Sequence, residues 1–250
     1  MNLEIIVKKE VNKLINKKDH LLVALSGGKD STTILYLLNK WGYMVEAVII
    51  DLGFNKEDVS NARSFCKEQG IKLHEVNYDM KSLWHKNKGL NYCQTCGVMR
   101  RWLLNRKAKE LKVTKIVTGH NQDDLVESVL MNLMMGNPSL CKGLTSQGKK
   151  NAFVQRVKPM NYVPEELIKE YAKKKGFKVS YAPCPYSSDA FRRYVKNAFK
   201  DENKDNIVKY YKKLALIIKK KYKSEGTLKP CKVCGEASRS GLCKACSLQS

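Results

Sequence analysis

Cysteine and glycine carry the first legible chemistry in this chain. Near the C-terminus, Cys231-Lys-Val-Cys234 and Cys243-Lys-Ala-Cys246 form two CxxC pairs. Two such knuckles supply four thiolates, the closed tetrahedral set of a structural zinc site. The tail around them has few large apolar residues, so metal would carry much of its folding. Disulfides are the weaker alternative in a reducing compartment. A third pair, Cys93-Gln94-Thr95-Cys96, has ligand spacing but stands alone, which suits half a zinc site or a redox pair. Cys184 is single, within Pro183-Cys184-Pro185-Tyr186. Cys66 and Cys141 are further thiols, of which Cys66 falls in an apolar helical pattern and reads as core.

Ser26-Gly27-Gly28-Lys29-Asp30-Ser31 has the composition of a phosphate loop. Paired glycines let backbone approach phosphate oxygens, and a following helix offers free N–H groups and a positive dipole end. Lys29 adds a cation, and Ser26 and Ser31 add hydroxyl donors. Asp30 is awkward beside phosphates unless it holds magnesium or caps the helix. The spacing is not that of a Walker A loop, which places four residues between Gly and Gly-Lys-Ser/Thr. An ordinary glycine turn with an Asp or Ser cap is the plainer reading, and the flanking strand and helix patterns argue against it.

These residues need elements to hold them. Leu3, Ile6, Val7, Val11, Leu14 and Ile15 predict an amphipathic helix over 3–17, and Leu21–Leu25 a buried strand ending at the glycine loop. Helices follow at 31–41, 56–69, 97–111 and 123–135, with strands at 44–50, 72–78, 115–118 and 153–158. The first CxxC falls in a loop before residue 97. Residues 136–151 read as a mobile polar loop, Pro164 as the opening of a helix, and 203–223 as a lysine-studded helix. Strands alternating with helices predict an α/β fold, a doubly wound parallel sheet, with a small C-terminal zinc knuckle. The expected division is an N-terminal helix at 1–19, a nucleotide domain at 20–200, a basic helix at 201–225 and the knuckle at 226–250.

The chain has 250 residues with 47 Lys and Arg against 24 Asp and Glu, a formal net charge of +23. Such an excess repels itself unless a polyanion shares it, and nucleic acid is the expected partner, with a lysine-rich proteome as the bland alternative. The first 20 residues are charged and helical in pattern rather than a signal peptide, and no apolar run reaches the ~18 residues of a membrane span. A cytoplasmic protein with no membrane partner is expected.

Ala24 to Thr32, Ala-Leu-Ser-Gly-Gly-Lys-Asp-Ser-Thr, resembles the PP-loop of N-type ATP pyrophosphatases, whose fold is Rossmann-like. The stretch Cys93 to Asn105, the segment Thr118-Gly-His-Asn-Gln-Asp-Asp124 and the run Pro183 to Ser187 together resemble the TtuA/TtcA family of tRNA 2-thiolation enzymes. The likeness runs from about residue 20 to the C-terminus. It implies an enzyme that adenylates the 2-oxygen of a tRNA uridine with ATP and Mg2+ and exchanges that oxygen for sulfur. It further implies an ATP site built from Ala24, Leu25, Ser26, Gly27, Gly28, Lys29, Asp30, Ser31, Ile50, Arg100 and Gly119. By the same resemblance, Cys93, Cys96 and Cys184 hold a 4Fe-4S cluster with one open iron. The rival is a set of catalytic cysteines that carry a persulfide. Asp124 is the implied catalytic acid or base, Asp123 its less suited neighbour, and His120 an orienting or merely structural group.

Two departures stand out. Arg100 falls where relatives usually carry Lys, which keeps the charge and changes its geometry. TtuA-type relatives carry an N-terminal zinc module that has no counterpart ahead of residue 20, whereas TtcA-type relatives lack both that module and this tail. The sulfur donor is expected to be sulfide or a ubiquitin-like carrier protein, and apolar surface on the first helix could support a homodimer. The other function classes left open are a lysidine-type tRNA synthetase and a non-catalytic zinc-ribbon RNA binder. The target stays open among a wobble uridine, a T-loop uridine and an anticodon-loop cytidine.

Overall fold

The computed structural model describes residues 2–54, 56–144, 154–181, 184–186, 191–200, 202–222 and 228–250. Its centre is a five-stranded parallel sheet of β1 (His20–Leu25), β2 (Met44–Asp51), β3 (Leu73–Asn77), β4 (Lys115–Thr118) and β5 (Gln155–Val157), in the order β3-β2-β1-β4-β5. Strand side chains alternate between faces, so β1 serves two cores. Leu21, Val23 and Leu25 face α1 (Leu3–Leu14), α2 (Lys29–Lys40), α3 (Lys56–Glu68) and a helix at Glu165–Lys174. Leu22, with Val48 and Ile116, meets Leu104 and Ala108 on the opposite face.

Those last two belong to the helix that most alters the expected layout. The predicted helix at 97–111 begins earlier, at Tyr92, and runs to Glu110; with a short helix α4 (Met80–Lys86) before it, it is α5. The side chain of Asn91 accepts the Gln94 N–H at 3.0 Å and starts the helix there. Cys93 and Cys96 therefore lie in a helical first turn, not in a loop. Lys29 and Asp30 are likewise helical, with Gly28 as the cap residue of α2, and α1 stops at Leu14 rather than Lys17.

After β4 come α6 (Gln122–Met134), a 3-10 turn at Pro138–Gly143 inside the expected polar loop, α7 (Glu165–Lys174) capped by Pro164, α8 (Phe191–Ala198) and α9 (Lys204–Lys221). Residues 145–153, most of the expected polar loop and the start of its following strand, lie outside the described residues, as do Pro183 and Ser187. Cys141, from the 3-10 turn, packs with Val129, Tyr211 and Ala215 between α6 and α9. The C-terminal module is a two-stranded antiparallel ribbon, β6 (Lys229–Pro230) and β7 (Ala237–Ser238), closed by α10 (Lys244–Gln249). It packs on α5 through Leu248, Ala245 and Trp102. Among the described residues no helix is long and apolar enough to cross a membrane. Ile5, on α1, is 68% exposed.

Candidate nucleotide and sulfur site

β1 pairs with β2 on one side and β4 on the other. Its carboxyl end is thus the point where the sheet's winding reverses, the place where parallel sheets bind ligands. Ser26 to Gly28 occupy it. The Ser26 backbone N–H donates to Ser31 Oγ at 3.0 Å, and Ser31 Oγ–H reaches the Gly28 carbonyl at 3.1 Å. Gly27 has φ +79°, and a Cβ there would stand 2.6 Å from the Asp58 side chain. Gly119, at the end of β4, would put a Cβ 2.7 Å from the Ser31 nitrogen. Both glycines are required by contact with backbone, which closes the loop against β4 and α3.

A small cavity beside the loop is lined by Ser26, Ile50, Leu52, Phe54, Asp58 and Arg100. Ala24 and Leu25 do not line it: they end β1 just before Ser26, with Leu25 packed in the core. Arg100, from α5, faces this cavity and also donates its Nε–H to Cys96 Sγ at 3.4 Å. One side chain therefore touches both halves of the site.

Lys29 Nζ sits 3.0 Å from Asp30 and 2.7 Å from Glu165 on α7. Burial opposes its charge, but the two carboxylates outweigh burial and hold its pKa above the ordinary lysine value. Burial raises Asp30, which also accepts an Asn121 amide hydrogen at 3.2 Å. Asp30 therefore neither caps α2 nor is isolated. Glu165 is pressed upward by burial, yet the hydrogen bonds from Lys29 and Lys196 carry it down to about 2.

Asp124 and Asn121 form a reciprocal capping box at the start of α6. Arg192, from α8, donates to the other Asp124 oxygen at 3.1 Å, to Ser128 Oγ at 2.7 Å and lies 3.5 Å from Glu127. Burial drives Glu127 up to about 7 despite Arg192. Asp123 points away from Asp124, to Lys204 on α9 and the Glu165 N–H. His120 accepts from or donates to Thr118 Oγ1 at 2.9 Å, and burial, then the charges of Lys158, Arg192 and Arg156, lower it to about 4. Sequence reasoning missed Glu165 and Arg192, which stand far from the loop in the chain and belong to no motif signature of it.

The cysteines gather at the amino end of α5. Cys93 Sγ is 3.9 Å from the Tyr186 carbonyl, two residues beyond Cys184. Burial, then the nearby Cys184 and Cys96 thiols, raise the Cys93 pKa. An aromatic group holds the segments together: Trp84 lies 4.7 Å from Tyr186, 4.8 Å from Tyr92 and 5.9 Å from Phe54 between ring centroids. Cys93, Cys96 and Cys184 offer three thiols, a soft donor set of the kind that fits an iron–sulfur cluster. In the tail, the ligand atoms of Cys231, Cys234, Cys243 and Cys246 all lie within 4.8 Å of one another, which fits a tetrahedral zinc ion.

A glycine-rich loop at the sheet's switch point, built without a Walker sequence, defines a nucleotide-binding domain of the PP-loop class. Residues 3–202 match the PP-loop domain family. More narrowly, the chain belongs to the tRNA 2-thiolation enzymes of that class. It is 32% identical, over 94% of this chain and 79% of the relative, to a tRNA-5-methyluridine(54) 2-sulfurtransferase of Pyrococcus horikoshii. It is 30% identical to the cytoplasmic tRNA 2-thiolation protein 1 of Caenorhabditis elegans, over 95% of this chain and 69% of that one. Its fold resembles the U34-tRNA thiolase NcsA of Methanococcus maripaludis, solved with its [4Fe-4S] cluster, with TM-score 0.77 and 31% identity over 97% of this chain and 85% of that chain.

Proposed function

We propose that this protein is a cytoplasmic, ATP-dependent tRNA sulfurtransferase that adenylates the 2-oxygen of a uridine and exchanges it for sulfur. The observation that carries the reading is the meeting of a nucleotide pocket and a three-thiol site at Arg100, which faces one and donates to Cys96 of the other. Lys29 and the loop N–H groups bind the nucleotide's phosphates and stabilise charge as pyrophosphate leaves. Ile50 and Phe54 bound the adenine, and Gly119 lets the loop close on β4. Asp30 is positioned to hold Mg2+ with the phosphates, in exchange for its present contact with Lys29. Asp124, fixed by Asn121 and Arg192, faces the acceptor side and serves as acid or base.

Cys93, Cys96 and Cys184 would hold the 4Fe-4S cluster, and the four tail cysteines the zinc. When bound, a cluster with three thiolate ligands supplies an open iron on which sulfide from a small donor or carrier protein can be made nucleophilic. The aromatic group at Trp84 and Tyr186 ties the Cys184 segment to the start of α5, while Cys93 stays open to solvent and so to a sulfur donor. A homodimer through the exposed part of α1 accords with Ile5 standing in solvent. The test is anaerobic reconstitution of wild type and Cys184→Ala, with nucleoside mass spectrometry of tRNA after reaction with ATP and sulfide. Wild type should bind iron and produce a 2-thiolated nucleoside, and the variant should lose both. Full thiolation by an iron-free Cys184→Ala protein would overturn the cluster mechanism, and wild type that releases AMP on tRNA without forming any thiolated nucleoside would favour a nitrogen-attaching PP-loop enzyme.

A further inference from the structure

Most cations around the nucleotide loop are neutralised: Lys29 by Asp30 and Glu165, Lys204 by Asp123, and Arg192 by Asp124. One group is not. Val157 is fully buried in the core, so its neighbours Arg156 and Lys158 project to the opposite side of the β5 chain, the side on which α5 lies. There the Arg156 guanidinium donates to the Arg101 carbonyl at 2.9 Å and to Asn105 Oδ1 at 2.6 Å. Arg101 stands over Gly97, its guanidinium nitrogens 3.7 Å from where a Cβ there would be. Among the described residues, no carboxylate pairs with Arg101, Arg156 or Lys158, and neither the Arg101 guanidinium nor Lys158 Nζ has a hydrogen-bond partner.

The three like charges sit together at a surface that solvent and ligands can reach. Burial and then the Arg101 charge lower Arg156 to about 10 against the pull of Glu236, which reaches it through Asn105, and Lys158 is lowered by burial and by Arg192 and Arg156, against the pull of Asp124. An anion placed among them would relieve the repulsion and accept charge-assisted hydrogen bonds from all three. Guanidinium forks suit phosphate oxygens in particular.

The sheet order says which phosphate. Adenine's pocket lies at β2, the phosphate loop at β1, Gly119, His120 and Asp124 after β4, and the cation group at β5. β5 lies two strand spacings from β1, about 10 Å, on the side away from adenine. The loop at β1 already provides for the ATP phosphates. Enzymes that act on a base take it out of the stack and must hold the displaced backbone. We infer that Arg101, Arg156 and Lys158 form an anchor for a phosphodiester of the acceptor RNA, next to the nucleotide whose base reaches Asp124. The inference rests on the thiolase reading for its choice of RNA.

Lys158→Gln and Arg101→Gln are suitable probes, because neither side chain supports a described contact that folding needs. Binding of an unmodified tRNA transcript is measured against salt, with Lys18→Gln, on the far surface, as a control for net charge. ATP and inorganic pyrophosphate affinities are measured without RNA. Each probe should weaken tRNA binding roughly fivefold near physiological salt and lower the log–log salt slope by about one, with ATP and pyrophosphate affinities unchanged. Weakened ATP or pyrophosphate binding instead would assign the cations to the nucleotide and overturn the proposal. So would an unchanged tRNA affinity, or an equal effect from Lys18→Gln. Thiolation by wild type is scored separately: a protein that binds tRNA through these residues but never thiolates it keeps the anchor and loses the enzyme.

Discussion

At the scale of single residues, the site depends on where a methyl group cannot go. Gly119 and Gly28 both border the loop, but only Gly119 is hemmed in by backbone, 2.7 Å from the Ser31 nitrogen; a Cβ on Gly28 would meet only Ser26 Oγ at 3.5 Å. Gly119→Ala should therefore cost about 1–3 kcal/mol through overpacking and weaken ATP binding as the loop shifts. Gly28→Ala, whose φ is −87°, should melt near the wild-type temperature. Equal melting of the two in calorimetry would refute this account. Glu127 gives a second residue-scale prediction. Its carboxyl is raised from 4.5 to about 7 by burial, so between those values the folded state holds a proton the unfolded state has released. Stability must then fall as pH rises from about 4.5 to about 7. Glu127→Gln should flatten the melting-temperature profile over that window, and an unchanged slope would count against a raised Glu127. Neither effect could be read from sequence: the family resemblance assigns Gly119 to the ATP site without showing its contact with Ser31, and Glu127 looks like one more acidic residue on a helix.

At the scale of elements, α5 joins the two groups of cysteines. Its first turn bears Cys93 and Cys96, and its middle receives the C-terminal module. Glu236, only 3% exposed, accepts from Asn105 Nδ2 at 3.1 Å and Lys109 Nζ at 2.5 Å, while Asn87 donates to the Leu248 carbonyl at 3.0 Å. A buried amide left without its partner costs about 1–3 kcal/mol, whereas Lys109, 39% exposed, can turn to water. Glu236→Ala, by stranding the Asn105 amide and releasing Lys109, should loosen the module and make zinc easier to strip with chelator. Because Trp102 and Met99 pack in the same cluster as Cys231 and Cys246, zinc loss should also lower iron uptake at the far end of α5. Iron content that is indifferent to zinc would show the two sites to be independent. Sequence reading found the sheet, the loop and the four-cysteine tail, since each has a local pattern. It began α5 late because Cys-Gln-Thr-Cys is polar and lacks helical periodicity, and the deciding signal was the Asn91 cap. It missed α4 and α8 for the same reason: both are short, and their identity comes from partners distant in sequence, Trp84 with Tyr186 and Arg192 with Asp124.

At the scale of the whole molecule, the charge of +23 is unevenly spent. Acidic side chains concentrate around the nucleotide loop, where Asp30, Asp123, Asp124, Glu127 and Glu165 each meet a cation. The α9 helix has no carboxylate after Asp205, but carries Lys209, Lys212, Lys213, Lys219, Lys220 and Lys221, with Tyr210 62% exposed among them. Its inner face is fixed by Val208, Tyr211, Ala215 and Ile218 in the core and by Lys204 on Asp123, so the lysines are held in place rather than loosely displayed. A rigid cationic helix with exposed tyrosine suits nucleic-acid backbone and stacked bases. Changing Lys219, Lys220 and Lys221 together to Gln should weaken tRNA binding and reduce the salt slope by up to about three, since each phosphate contact releases close to one counterion. Such contacts set position without reading sequence, so the loss should be the same for cognate and non-cognate tRNA. The rate of thiolation at saturating tRNA should hardly change, because the α9 residues that touch α6 near Asp124, Lys204 on Asp123 and Asp205 on Gln122, lie at the opposite end of α9 from Lys219, Lys220 and Lys221. A triple variant that binds normally but turns over slowly would instead make α9 part of the catalytic frame, and would move the RNA path to the anchor at β5 and whatever surface lies beyond it.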